Sequence, residues 1–270
     1  MPDLYAVIGN PIAHSKSPRI HAEFARQLGE GMRYEAILAP PDGFAAAVAN
    51  FRALGGRGLN VTVPFKLDAF AIASEHTERA EQAGAVNTLK FDGKAVLGDN
   101  TDGAGLVGDL RDRLGFAIRG KRVLIMGAGG AARGVILPLL REEPASIAIA
   151  NRTLEKAKAL ERQFASFGPV AGGGYADLRG KSFDLVVNAT SASLSGELPP
   201  LPASALAPGA LAYDMVYGDK PTRFLTFARE NGAAHVADGL GMLIAQAAES
   251  FFLWRGVRPD TAPVIEMLRT

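Results

Sequence analysis

Residues 122–132 read Arg122-Val123-Leu124-Ile125-Met126-Gly127-Ala128-Gly129-Gly130-Ala131-Ala132, and an apolar helical pattern continues from there through Leu140. The nearly unbroken apolar run before the glycines is the signature of a strand buried on both faces of a parallel sheet. The turn that follows fits G-x-G-x-x-A. Gly127 permits a tight turn, Gly129 lets the backbone approach a pyrophosphate, and Ala132 keeps the helix close to the sheet. The exposed amides and the positive end of the helix dipole then face the phosphates. Glycine-rich turns also serve purely structural roles. The strand before and the helix after point to a dinucleotide site over Gly127, Ala128, Gly129, Gly130 and Ala131.

Moving outward, the next apolar run, Ser146 to Ala150, ends at Asn151-Arg152-Thr153, 24 residues beyond Gly127. An NAD site normally carries Asp or Glu there to hold the ribose 2′-hydroxyl. This chain offers Asn151, Arg152, Thr153 and, one helical turn on, Lys156, a set that suits a 2′-phosphate and hence NADP(H). The plainer reading, that Asn151 or Thr153 caps a helix and Arg152 is solvated, is compatible with it. Further buried-strand patterns lie at Phe183–Asn188 and Leu211–Val216, with helices at about 154–167 and 223–231. One long apolar-faced helix from Gly239 to about Gly256 and a short one after it end the sequence. Gly172-Gly173-Gly174 and Leu198-Pro199-Pro200-Leu201-Pro202 read as loops.

Upstream, strands are expected at Tyr5–Gly9, Tyr34–Leu38 and Gly58–Val63, the last stopped by Pro64. Helices are expected up to Leu28, from Asp42 to about Leu54, and from Lys66 into the seventies. Ala85–Leu89 and Ala95–Gly98 bracket Asp92-Gly93 as a hairpin. The pattern changes after Asp102, where a helix from about Gly105 to Leu114 leads to the glycine-turn strand. The fold class is α/β: an N-terminal α/β domain and a Rossmann-like doubly wound domain, with a boundary near residue 102.

Three segments of the first domain concentrate polar groups where strands end: His14-Ser15-Lys16-Ser17-Pro18, Asn60-Val61-Thr62-Val63-Pro64-Phe65-Lys66, and Asn100-Thr101-Asp102; Asn87 ends a fourth stretch. Hydroxyls, amides and one Lys/Asp pair suit a small polyhydroxylated substrate. Each residue alone has a plainer role: Ser15 and Ser17 as helix caps, Asp102 as a turn brace, Lys66 as a solvated lysine. Asp99-x-x-Asp102 lacks the glycine and terminal glutamate of an EF-hand loop, and no metal is expected.

The 270 residues suit two domains. Hydrophobic residues make up 48% and charged residues 21%, enough to bury two cores. The net charge of +1 gives no general field for nucleic acid or an anionic membrane. The absence of cysteine excludes thiolate metal sites and cysteine nucleophiles. With no signal-peptide pattern and no long apolar run, a cytoplasmic protein is the expectation.

The blocks GNPIAHSKSP, NVTVPFK, GAVNT, GDNTDG, GAGGAARG, NRT, NAT, YDMVY and ADGLGML together resemble the shikimate dehydrogenase family, in the family order and over nearly the whole chain. The resemblance implies reversible NADP-dependent reduction of 3-dehydroshikimate to shikimate, a step toward the aromatic amino acids. It implies a substrate domain of residues 1–102 plus 239–270, an inserted NADP domain of residues 103–238, and a cleft between them. Lys66 and Asp102 match the family's catalytic pair. Ser15, Ser17, Thr62, Asn87, Asp102 and Gln246 match its shikimate contacts, with Asn60 and Tyr217 bordering the same pocket. Gly127 to Ala131 match the pyrophosphate loop, and Asn151, Arg152, Thr153 and Lys156 the 2′-phosphate clamp. Met215 and Gly239 fall at the nicotinamide end. Oligomeric state is left open between monomer and homodimer.

Two positions depart from the family pattern. Lys156 stands where arginine is usual, replacing a planar fork with a point charge. Ser193 stands where glycine is usual, and strain of roughly 1–2 kcal/mol is expected if that backbone needs a positive φ. Two other readings remain: a broader quinate/shikimate dehydrogenase that also accepts NAD, and a non-catalytic NADP-sensing module. The basic clamp and the Ser15/Ser17 pair disfavour the first; retention of Lys66 with Asp102 disfavours the second.

Overall fold

A computed structural model describes residues 2–269. The chain forms two compact units: one runs to Gly105 and resumes at Ile244, the other is Leu106–Leu243. The first begins with β1 (Asp3–Gly9), α1 (Ser17–Leu28), β2 (Met32–Leu38), α2 (Phe44–Ala53), β3 (Gly56–Val61) and α3 (Lys66–Ile72). Then come β4 (Glu75–His76), α4 (Glu78–Ala83) and the antiparallel pair β5 (Thr88–Asp92) and β6 (Ala95–Asp99), joined across Gly93 at φ 55°. The strand order is β2-β1-β3-β5-β6-β4, with β1 parallel to both neighbours. Strand β4 and helix α4 escape sequence patterning because two and six residues are too short to show a period.

The crossover into the second unit lies within α5 (Asp102–Gly108), which runs on into a π-helical turn at Asp109–Arg113. There the Asp109 carboxylate accepts the Tyr213 hydroxyl at 2.7 Å and both arms of the Arg113 guanidinium. β7 (Arg122–Met126), α6 (Gly130–Arg141), β8 (Ser146–Ala150), α7 (Leu154–Phe164), β9 (Val170–Gly173), β10 (Phe183–Asn188), β11 (Leu206–Asp214), α8 (Arg223–Glu230) and β12 (His235–Ala237) follow. They build an all-parallel sheet in the order β12-β11-β10-β7-β8-β9. Val123, Ile125, Leu185 and Val187 enter the core on one face, Leu124, Met126 and Val186 the core on the other. That two-sided burial is why these strands read as unbroken apolar runs.

The chain returns through α9 (Leu240–Arg255) to α10 (Ala262–Arg269). In the first unit Phe251 of α9 meets Phe24 edge-on, and Trp254 donates its indole N–H to the Leu89 carbonyl at 3.0 Å. Gly58 is required beneath it, since a Cβ there would collide with the indole.

Three expectations need correction. Gly172-Gly173 belongs to β9 and not to a loop: α7 crosses so close that a Cβ on Gly172 would enter the backbone at Ala157. The helix expected to start on Asp42 begins at Phe44, with Gly43 in the capping position. Ser193 carries no strain, because Glu143 is the sole non-glycine residue with positive φ among the described residues.

Candidate active site

In the second unit, strands are added on one side of β7 by β8 and β9 and on the other by β10, β11 and β12, so the chain reverses direction of build between β7 and β10. Ligands of open parallel sheets bind in the crevice at the carboxyl ends of the strands at such a point. The loop after β7 supplies the glycine turn. Gly127 has φ 104°, and a Cβ there would sit 3.0 Å from the Ala189 carbonyl oxygen, so only glycine fits. Gly129 and Gly130 are different: a Cβ on either meets nothing within 4 Å. Their backbone is bare toward open space at the start of the 12-residue helix α6, as close approach by a pyrophosphate requires. Ala128 and Ala131 are half-buried beside them, and Ala132 is fully buried against the sheet.

The carboxyl end of β8 carries Asn151, Arg152 and Thr153, and Lys156 stands in the first turn of α7. Arg152, Thr153 and Lys156 are exposed. Thr153 holds the capping position without making a capping hydrogen bond, while Asn151 Nδ2 donates to the Thr153 carbonyl at 2.9 Å. The threonine cap of the plainer reading is therefore absent: at φ −91°, ψ 103° the hydroxyl is unused by the helix. Tyr175, just after β9, is near enough for the Arg152 charge to oppose the upward push of burial on its phenol. At the ends of β10 and β11, Met215 N donates to the Asn188 carbonyl at 3.0 Å, and Gly239 lies so tightly on the Met215 backbone that no Cβ fits. Tyr217, half-buried, follows β11; burial raises its pKa.

The first unit gathers its polar residues around Asp102, which is 8% exposed. Lys66, at the start of α3, places Nζ 2.5 Å from Asp102 Oδ2. Asn87 Nδ2 donates to Asp102 Oδ1 at 2.8 Å and to Gln246 Oε1 at 3.2 Å. Its Oδ1 accepts from Thr88 Oγ1 at 2.9 Å and from the Thr101 amide at 2.9 Å, which fixes how the amide faces. Asn60 Nδ2 donates to Ser250 Oγ at 2.9 Å and to Thr88 Oγ1 at 3.2 Å, while its Oδ1 accepts the Tyr34 hydroxyl at 2.7 Å. A single buried network thus runs from Tyr34 to Lys66. Burial holds the Tyr34 phenol well above its usual range.

Ser15 and Ser17 sit at the start of α1, but neither caps it: Lys16 is the capping residue, and Ser15 Oγ accepts from the Ser17 amide at 3.3 Å. Thr62, half-buried just beyond β3, has its methyl against Gly9, where a Cβ would clash. Thr88, Ser250 and Tyr34 join the site without a sequence signal of their own; Thr88 and Ser250 bond across 162 positions, a separation no local pattern reports. Among the described residues no group of three or more His, Cys, Asp or Glu could hold a metal ion, and no helix is long and apolar enough to cross a membrane.

Comparison with known proteins gives three family-model matches. Residues 7–89 match the shikimate dehydrogenase substrate-binding domain, 110–195 the shikimate/quinate 5-dehydrogenase model, and 239–269 the shikimate 5-dehydrogenase C-terminal domain. The chain is 66% identical over 270 residues to a shikimate dehydrogenase (NADP(+)) of Nitrosospira multiformis, covering 100% of this chain and 98% of the relative. Among solved structures, an Ael1 enzyme from Pseudomonas putida superposes with a TM-score of 0.94 at 50% identity, covering 99% of this chain and 98% of that one. The shikimate 5-dehydrogenase of Thermus thermophilus in complex with NADP(H) and shikimate gives 0.86 at 34% identity, covering 99% and 98%.

Proposed function

The chain belongs to the shikimate dehydrogenase family, and from that premise we propose that it interconverts 3-dehydroshikimate and shikimate with NADP(H), Lys66 and Asp102 forming the catalytic pair. The observation that carries the reading is the 2.5 Å contact between Lys66 Nζ and Asp102 Oδ2 inside a buried amide and hydroxyl network. A structural ion pair needs no such surroundings.

NADPH, when bound, supplies the hydride that adds to the carbonyl carbon. The glycine turn and the amino end of α6 would hold its pyrophosphate, and Asn151, Arg152, Thr153 and Lys156 its 2′-phosphate, by charge and hydrogen bonding. Met215 and Gly239 would line the nicotinamide end, with Tyr217 bordering the substrate. As negative charge develops on the substrate oxygen, the Lys66 ammonium stabilises it and delivers a proton from Nζ. In the oxidative direction the same Nζ accepts the hydroxyl proton. Asp102 holds the lysine in place through Oδ2 and is itself aimed by Asn87 through Oδ1. Ser15 and Ser17 offer hydroxyls to a carboxylate, while Asn60, Thr62, Asn87 and Gln246 offer partners to ring hydroxyls. A biosynthetic dehydrogenase of this kind acts in the cytoplasm.

NADPH absorbance followed with 3-dehydroshikimate tests this directly. Turnover is expected, with NADH a poor replacement and quinate plus NADP a poor substrate pair. No turnover on the first pair would remove the reading. Equal use of quinate or NADH would favour the broader dehydrogenase.

A further inference from the structure

The segment after β10 flanks the same crevice as the glycine turn, from the opposite side. Ala189 N extends the sheet by donating to the Met126 carbonyl at 2.9 Å, and the Gly127 turn lies against Ala189 and the Thr190 methyl. Whatever the turn binds therefore passes beside residues 189–194. This segment is short of ladder bonds of its own: it is a turn of 3₁₀ helix, Ala192–Leu194, with Leu194 75% exposed. Its position is set by side chains.

Ser193 is the centre of that arrangement. Its Oγ donates to Asp214 Oδ2 at 2.6 Å and accepts from Asn188 Nδ2 at 3.0 Å. Asn188 Oδ1 in turn accepts the Thr190 hydroxyl at 2.7 Å, and Thr190 Oγ1 accepts the Ala192 amide at 3.2 Å. Asp214 is fully buried at the end of β11, and Thr222 Oγ1 and the Val216 amide also bind it, at 2.6 and 3.0 Å. One serine hydroxyl thus ties the crevice loop to a carboxylate anchored in the neighbouring strand end.

We propose that Ser193 is a positioning residue for dinucleotide binding, latching the 189–194 loop to Asp214 so that the crevice wall is formed before the cofactor arrives. The inference rests on the assignment of the crevice to NADP(H). Without the latch, binding must first order the loop, and that cost shows as lost affinity. Ser193 belongs to the nucleotide unit and bonds there to Asp214 and Asn188, and Lys66 and Asp102 belong to the other unit, so the turnover step is spared.

The test compares Ser193→Ala and Ser193→Thr with the parent enzyme and with Arg152→Ala. The readouts are NADPH binding by fluorescence titration, KM for NADPH, kcat and the thermal midpoint. A charge-assisted hydrogen bond predicts that Ser193→Ala weakens NADPH roughly tenfold with kcat within about twofold. Ser193→Thr, which keeps the hydroxyl, restores most of the affinity. Unchanged NADPH affinity in Ser193→Ala overturns the latch, as does a loss that Ser193→Thr fails to restore or a lowered thermal midpoint with KM unmoved. If Arg152→Ala also leaves NADPH affinity unchanged, the cofactor assignment fails with it.

Discussion

His21 makes the first unit sensitive to acid. Its ring is fully buried, stacked on Tyr34 with centroids 4.3 Å apart and 7° between planes, edge-on to Phe24, and 5.3 Å from the Trp254 ring. Neither ring nitrogen has a hydrogen-bond partner. Burial lowers the imidazole pKa from 6.5 to about 3; the nearby Asn60 amide opposes this without closing a hydrogen bond. The folded state therefore holds His21 neutral, while the unfolded chain takes up a proton below about pH 6.5. Stability is complete above that pH and is lost as the pH falls from 6.5 toward 3. The slope is about 1.4 kcal/mol per pH unit, so this one group removes about 2 kcal/mol at about pH 5 and about 3 kcal/mol at about pH 4.

The perturbation that isolates this effect is His21→Leu, which leaves an apolar side chain with nothing to titrate. Whatever packing cost the change brings is the same at every pH, and titrating groups shared by both proteins cancel in the difference. Trp254, the one tryptophan of the chain, lies beside the ring and reports unfolding of this unit. Urea unfolding followed by its fluorescence at pH 7, 6, 5 and 4 gives the free-energy difference between the two proteins. That difference should shift in favour of His21→Leu by about 1.4 kcal/mol per unit below about pH 6.5. A difference constant from pH 7 to pH 4 would refute the reasoning.

Three further outcomes follow from the site. Lys66→Ala should lower kcat by about 10²- to 10⁴-fold, the usual worth of positioned proton transfer, with NADPH affinity nearly unchanged; a large loss of cofactor binding in a titration would show the lysine misplaced. Arg152→Ala should raise the KM for NADPH by about 10-fold or more while barely touching NADH, and an unchanged ratio of the two would remove the clamp. Gly127→Ala should cost about 1–2 kcal/mol through its positive φ, measured as a lowered thermal midpoint. It should also weaken NADPH, because relief of the clash with Ala189 displaces the turn.

The nucleotide half of the fold was legible because its signals are local. Burial on both faces writes itself as the Val123–Met126 run, and the turn's geometry as Gly127. The substrate half was legible as residue types at strand ends, but their wiring was not. Asn87 stands out as an amide after Val86, yet its orientation is fixed by Thr88 and Thr101, and Asn60 is tied to Ser250 from a helix 190 positions away. Gly172 and Gly173 misled because small residues that admit a close helix look the same in sequence as small residues that free a loop.

Helix starts show how a residue type can be right and its role still hidden. Thr77 and Thr222 accept the Ala80 and Leu225 amides, each at 3.3 Å, and close their helices. Thr153 occupies the same position on α7 and makes no such bond, and α1 starts on Lys16 with no side-chain cap although serines stand on either side. A capping hydroxyl is already spent on the backbone. One that declines the cap, as Thr153 does on α7, leaves both itself and the helix amides available to an anion. Of these four starts, α7 is the one where an unspent hydroxyl meets the site reading's need for a phosphate; on α1 Ser15 Oγ already takes the Ser17 amide and Pro18 has no N–H to offer. Sequence grammar treats the three threonines alike, since Thr is favoured at helix starts for either purpose; all three are extended, and a ψ of 103° at Thr153 against 155° at Thr77 and 161° at Thr222 separates them.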